Sequence, residues 1–300
     1  MRTSLSQWLL AMTATALLTQ TAWASETDRP VHILASLPVT YGLSQLLLKG
    51  TPVVLERAAP ANLPGSRQSA YFSGRGAEAL AKLAATADAV VGVRSAWPDD
   101  SLYPMARRSN IRVVEVDALR PVDGSLPGVA LQADSAGNGL NAQPWMSSNN
   151  LGRMADVIAA DLSRLAPAAK APIEANLAQL KQRLLQLTAT AEKALAEADN
   201  VTVFSLSDHF NYLISGLNLD SLGHDARPDD QWSEQALATL QRTLADGGAQ
   251  VVLAHRQPSE ALAATIKASG ARLVVLDSVD EDPVSELQGQ VTQVIEALRG

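Results

Sequence analysis

Short apolar runs alternate with amphipathic stretches along the first part of the chain. The strand-like runs fall at 31–34, 53–55, 89–93 and 113–116. Helical spacing of apolar residues falls between them, at 41–49, 76–87 and 102–109. Apolar strands alternating with helices predict a parallel sheet covered by helices on both faces. A stretch rich in Gly, Asp, Ser, Asn and Pro follows at 121–150 and is expected to be loop.

The most distinctive pattern is one long helix predicted over 168–199. Its apolar residues recur at intervals of four and three, which places them on one helix face. They are Ile173, Leu177, Leu180, Leu184, Leu187, Ala191 and Ala194. A helix of this length is roughly 45 Å long, more than one small domain needs. We expect it to run along two lobes as a spine, and a coiled-coil partner helix is the alternative.

A second series of strands and helices begins after the long helix. The strand-like runs are 201–204, 251–254 and 273–276, and the helical patterns are 209–214, 233–245, 259–268 and 284–298. The predicted fold class is therefore α/β, with two lobes, each a parallel sheet flanked by helices, joined by one long spine helix. The predicted boundaries are 25–166 for the first lobe, 167–199 for the helix and 200–300 for the second lobe.

The N-terminus has the pattern of a secretory signal peptide. Arg2 precedes an apolar stretch at 8–18, and a small-x-small motif ends at Ala24. Residues 1–24 are therefore expected to be removed on export to the periplasm. The chain has no Cys, so a lipid anchor on a cysteine is excluded. We expect no membrane span in the mature chain, because no later apolar run is long enough.

The charge balance is acidic. With 24 basic and 31 acidic side chains the formal net charge is −7. Nucleic-acid-binding proteins present a basic face, so we expect no nucleic-acid partner. The absence of Cys also excludes disulfides and thiolate metal sites.

Polar residues follow the predicted strands, where open parallel sheets bind their ligands. In the second lobe they are 205–209, His255 with Arg256, and Asp277. In the first lobe, 64–71 is predicted to be a loop after the second strand, and 143–147 precedes the closing helix. Facing loops of two lobes form a cleft, the usual place for a small ligand.

Four short motifs in these segments carry a family resemblance. They are Gln68-Ser69-Ala70-Tyr71, Gln143-Pro144-Trp145-Met146-Ser147-Ser148, Ser207-Asp208-His209-Phe210-Asn211-Tyr212-Leu213, and the single residue Asp277. Their order, with the long helix, resembles the periplasmic zinc and manganese receptors of ABC transporters over nearly the whole mature chain. In that family the first three motifs begin Pro-His, His-x-Trp and His-Asp, and an acidic residue is the fourth ligand.

The three histidine ligands of that family are absent here. Matching positions hold Ser69, Gln143 and Ser207, and only Asp277 keeps the ligand type. Zinc prefers nitrogen and sulfur donors, and manganese or calcium needs more carboxylates than one. We therefore expect no tight zinc binding at the family's usual site. A weakly bound divalent metal, a metal chelate and a non-metal solute all remain open.

Other residues of these motifs have two interpretations each. His209 is a candidate ligand of a shifted site with His255 and Asp277, or a side chain that packs in its helix. Ser207-Asp208 is a candidate cleft segment or a helix cap.

Tyr71 and Trp145 are candidate walls of the cleft or aromatic residues packed within their loops.

The resemblance implies a solute-binding protein rather than an enzyme. It would capture a small solute in the cleft and deliver it to an ABC transporter permease in the inner membrane. One alternative is an interaction or accessory protein on the same fold, independent of metal. The other is a hydrolase using Ser207, His255 and Asp277, although no G-x-S-x-G motif surrounds a serine.

Overall fold

Two parallel four-stranded sheets, one in each half of the chain, form the framework of the protein. The computed structural model describes residues 29–122, 124, 126–134, 137, 139–277 and 281–300, and the predicted signal peptide at 1–24 lies outside them. The first sheet contains β1 (His32–Ala35), β2 (Val54–Arg57), β3 (Ala89–Gly92) and β4 (Val114–Asp117). The second contains β5 (Thr202–Ser205), β6 (Asp220–His224), β7 (Val251–Ala254) and β8 (Arg272–Val275).

The two sheets have the same topology. Their strand orders are β2-β1-β3-β4 and β6-β5-β7-β8, and every pairing is parallel. The first strand of each series thus lies inside its sheet, and the second lies at an edge. All carboxyl ends of a parallel sheet meet at one side, so each half presents one set of strand-end loops.

Helices cover both sheets. Those of the first half are α1 (Pro38–Leu48), α2 (Gly65–Ser73), α3 (Ala77–Thr86), α4 (Leu102–Ser109) and α5 (Ser148–Leu165). The long helix is α6 (Lys170–Ala196), and those of the second half are α7 (Asn211–Gly216), α8 (Glu234–Asp246), α9 (Glu260–Ala268) and α10 (Pro283–Arg299). The predicted two-lobed α/β fold is confirmed.

The long helix α6 joins the two halves. It packs against α1 and α5 of the first half and α10 of the second. Five residues of the predicted stripe are buried, and Leu177 and Ala194 are partly exposed. Asn176 Nδ2 donates to the carbonyl of Leu47 at 2.9 Å, and Arg183 Nη2 lies 2.8 Å from Asp282 Oδ2. The helix therefore has packing and polar contacts to both lobes, as a spine requires.

One predicted loop was wrong, and one strand was not predicted. The segment predicted as loop at 64–71 contains most of α2, which buries Gln68 and Phe72, spaced four residues apart, on one face. Strand β6, which ends at His224, is absent from the strands predicted for the second lobe. This edge strand pairs only with β5 and is largely exposed, so it lacks the apolar run by which strands are recognised.

Within the described residues, no helix combines the length and the apolar character needed to cross a membrane.

Adjacent leucines of α6 test its role. Leu184 is 4% exposed and packs beside Gly152 of α5, whereas Leu185 is 64% exposed. We expect Leu184→Ala to lower the free energy of unfolding by about 2–5 kcal/mol, because it removes buried methyl groups and leaves a cavity. Leu185→Ala, the matched control, should change it by less than about 0.5 kcal/mol. Urea denaturation measures both, and equal losses would contradict a buried α6 face.

Candidate functional site

A cavity of about 750 Å³ lies where strand-end loops of both sheets meet. The segments after β1, β2 and β3 line it from the first half, and those after β5, β7 and β8 line it from the second. Residues 142–146 and one side of α10 complete the wall. The volume lies within the range of about 300–1,000 Å³ typical of small-molecule sites. The rule that ligands bind beyond the carboxyl ends therefore leads to a real cavity here.

Two histidines lie side by side on the wall of the cavity. The ring centroids of His209 and His255 are 4.7 Å apart, with an angle of 48° between the ring planes. The strand order explains the pairing, since β5 and β7 are neighbours and each histidine follows one of them. Among the described residues, neither ring has a hydrogen-bond partner.

Burial keeps both imidazoles neutral at neutral pH. It lowers the pKa of His209, and the neighbouring His255 lowers that pKa further, against a smaller opposing effect of Asp208. The pKa of His255 is lowered by burial and then by the positive charge of Arg256, with Asp229 acting in the opposite direction. A neutral imidazole has one nitrogen with a free lone pair, which can bind a metal or accept a hydrogen bond.

Serine residues at the end of β5 place His209. Ser207 Oγ accepts a hydrogen bond from the backbone N–H of His209 at 3.2 Å and so caps a single 3₁₀ turn, Asp208–Phe210. The backbone N–H of Ser207 donates to Ser205 Oγ at 3.2 Å. The hydroxyl of Ser207 thus has a structural partner, which agrees with the cap interpretation of this segment.

Amide groups, one serine hydroxyl and one carboxylate supply the remaining polar lining. Gln290 of α10 is 5% exposed, and its Nε2 donates to the carbonyl of Asp277 at 3.2 Å. Its Oε1 is buried without a partner among the described residues. Gln143, Asn62 and Glu286 also line the cavity. Glu286 is the one carboxylate in the described lining.

Two tryptophans form apolar walls. Trp97 follows β3, and Trp145 lies in the 3₁₀ turn Pro144–Met146. A Cβ atom on Gly65, at the start of α2, would lie 3.0 Å from the Trp97 ring, so the absence of a side chain there permits the close approach. Each tryptophan also packs against the main hydrophobic core.

The structure brings four of the nine sequence-derived candidates to the cavity. They are Gln143, Trp145, His209 and His255. Ser69 is exposed on α2, Ser207 is 3% exposed and caps its turn, and Asp277 is exposed at the end of β8. Four positions match the family's metal ligands, and only one of them, Gln143, lies in the described lining.

Tyr71 and Asp208 have other contacts. The ring of Tyr71 occupies the space that a Cβ atom on Gly76 would need, at 2.3 Å, and lies 5.6 Å from the Phe72 ring. Tyr71 thus packs between α2 and α3. Asp208 Oδ1 lies 3.4 Å from His224 Nε2, outside the described lining.

Trp97, Glu286 and Gln290 are among the lining residues that the sequence did not predict. The strand-end rule, extended to β3, would have found Trp97. Glu286 and Gln290 lie within α10, and no local sequence signal marks a helix face that turns towards a cavity.

No cluster of three or more His, Asp or Glu side chains arranged to hold a metal ion occurs in the described part of the chain. The two imidazoles are therefore the nitrogen donors that the cavity offers to a metal. A closed protein site for zinc has four ligands, so this pair falls short of one.

Two lobes that face one cavity across the carboxyl ends of their sheets, with a helix along both, form the architecture of two-lobed solute-binding proteins. A family model described as the zinc-uptake complex component A, periplasmic, matches residues 77–299, most of the chain. The chain belongs to this family. A comparison with curated protein sequences finds no match.

Solved structures share the fold at low sequence identity. An FpvC mutant from Pseudomonas aeruginosa has a TM-score of 0.73 at 19% identity, covering 89% of this chain and 99% of that chain. The zinc-bound ZnuA-like domain of Streptococcus pneumoniae AdcA has a TM-score of 0.69 at 18% identity, covering 90% and 100%. A ZnuA structure has a TM-score of 0.66 at 20% identity, covering 90% and 99%.

The histidine pair should make folding stability depend on pH. A lowered pKa means that the folded chain binds fewer protons than the unfolded chain below about pH 6.5. The free energy of unfolding should therefore decrease as pH falls from about 7 towards 5. The double variant His209→Gln/His255→Gln should show a smaller decrease, measured by urea denaturation at each pH. Identical slopes in the wild type and the double variant would contradict the assignment.

Proposed function

We propose that this chain is the solute-binding component of an ABC-type uptake transporter of the metal-ion class, and that it holds its solute in the cavity between the two sheets. The cavity itself carries the proposal, because loops from both lobes line it and its volume suits a small ligand. Membership of the zinc-uptake family supports the metal-ion class. The related AdcA domain has been solved with zinc bound.

The solute is held without the family's usual ligand set. Ser69, Ser207 and Asp277 lie outside the described lining, and Gln143 offers an amide where an imidazole would be expected. The donors that replace them are His209 and His255, both from the second lobe. Two neutral nitrogens are a weaker site for a bare ion than four ligands with anionic charge.

The proposed partner is an inner-membrane permease, and the proposed location is the periplasm. The signal pattern at 1–24 supports export, and the matched family is periplasmic. The permease would dock on the lobe surfaces beside the mouth of the cavity, where it could receive the released solute.

The geometry favours binding over catalysis. The hydrolase alternative needs Ser207, His255 and Asp277 joined by hydrogen bonds. Ser207 is 3% exposed with its hydroxyl bonded to the backbone of His209, and Asp277 uses its carbonyl to bind Gln290. No hydrogen bond joins the three side chains in the described structure.

Calorimetry tests the altered site. We expect the metal-stripped protein, secreted to and purified from the periplasm, to bind zinc and manganese no more tightly than a Kd of about 1 μM. The reason is the shortage of donors in the cavity. Tight one-to-one zinc binding that survives in the double variant His209→Gln/His255→Gln would show that another set of ligands exists.

Uptake by cells tests the function. Cells that lack this chain should accumulate less of at least one transition metal under metal limitation, measured by elemental mass spectrometry. The wild-type gene should restore the content, and the double histidine variant should restore less. The matched control His224→Gln should restore it fully. Equal metal content with and without the chain, across all transition metals, would refute the proposal.

A further inference from the structure

The two imidazoles can share one metal ion but cannot complete its coordination. Zinc–imidazole bonds are about 2.0–2.1 Å long, so rings whose centroids are 4.7 Å apart are close enough to bind one ion when a nitrogen of each ring faces it. With no third His, Asp or Glu in a suitable arrangement among the described residues, at least two coordination positions stay open. Something other than the protein must fill them.

The charge of the wall does not match a bare dication. An imidazole that binds a metal is neutral, and Glu286 is the one carboxylate in the described lining. Moving an ion from water into a site with little compensating charge is costly. A metal already bound to an organic ligand has lost part of its hydration shell, and its charge is spread over a larger complex, which lowers this cost.

The size and lining of the cavity suit an organic molecule. The volume of about 750 Å³ far exceeds what one ion and its water ligands occupy. Trp97 and Trp145 present aromatic surface, and the remaining lining is largely aliphatic or amide in character. Aromatic and apolar walls with a few polar groups are typical of sites for organic ligands.

We infer that this cavity takes its metal as a chelate: His209 and His255 fill two coordination positions, and an organic chelator of low net charge fills the others and packs against Trp97 and Trp145. The inference rests on the proposed metal-uptake function and specifies its cargo. The amides of Gln143 and Gln290 are available to orient the chelator by hydrogen bonding.

A copper complex with one bipyridine tests this cargo class. Bipyridine occupies two positions of Cu²⁺, leaves adjacent positions for two imidazoles, and carries a flat aromatic face. The protein purified from the periplasm is titrated separately with CuCl₂, with bipyridine, and with their one-to-one complex. Binding is followed by tryptophan fluorescence and by electron paramagnetic resonance, which reports nitrogen ligands of Cu²⁺.

We expect the complex to bind once per chain and at least about tenfold more tightly than either component, with quenching of Trp97 and Trp145. His209→Gln and His255→Gln should each weaken binding and remove one imidazole from the copper ligands, and the double variant should lose the imidazole signal. Trp145→Leu should weaken binding of the complex several-fold without changing the nitrogen ligands. The matched controls His224→Gln and Trp232→Phe should bind as the wild type does.

Folding of every variant is checked by thermal unfolding. A rise in the wild-type Tm with the complex, larger than with either component, supports the inference even where a variant fails to fold.

Three results would overturn the inference, and they separate it from the proposed function. Equal affinity for CuCl₂ and the complex at His209 and His255 would mean that the protein binds the bare ion. The chelate inference would then be wrong, and the proposed metal-binding function would still hold. Equal affinity for bipyridine and the complex would mean that the metal has no role in binding. This result would contradict both the chelate inference and the proposed metal-ion class of transporter. Binding of the complex with wild-type affinity in both histidine variants would mean that the copper binds at another site.

Discussion

The packing of α6 against both halves is the constraint on which the site depends. Residues of both sheets, including Val91 of β3 and Val251 of β7, belong to one continuous hydrophobic cluster with the buried face of α6. The pair formed by Arg183 and Asp282 adds a polar contact where α10 begins. Since α10 supplies part of the cavity wall, the packing that holds the lobes together also fixes the wall. Large lobe movements would have to break this shared core, so cargo entry is expected to depend on loops rather than on hinge motion.

Parallel topology then decides which side chains meet. His209 and His255 are far apart in sequence, but they follow neighbouring strands and so come within contact of each other. Ser207 cannot replace an imidazole, because its hydroxyl already satisfies the backbone of the turn that carries His209. An imidazole nitrogen therefore reaches the cavity from His209, two residues after Ser207. The turn that carries His209 is held in place by the Ser207 hydroxyl.

Periodicity predicted most of the fold, since α6 and the buried strands carry strong apolar patterns. It failed at α2, where Pro64 and several glycines resemble a loop, and at β6, where an exposed edge strand has no apolar run. The site was less predictable. Strand-end reasoning reached His209 and His255, although it also selected Asp277, which lies outside the described lining. Motif matching selected four positions, of which one, Gln143, lies in that lining. Glu286 and Gln290 depend on how α10 is rotated, which is a tertiary property.

The proposed function requires the chain to release its cargo as well as bind it, and the chemistry of this cavity suits release. Four ligands with anionic charge hold zinc tightly, and several bonds must break before the ion can leave. Two neutral imidazoles contribute fewer such bonds, and apolar contact with the proposed chelator is non-directional and is lost gradually as it leaves the cavity. Discrimination would then come from the shape of the organic part and from its amide contacts, rather than from the size of the ion.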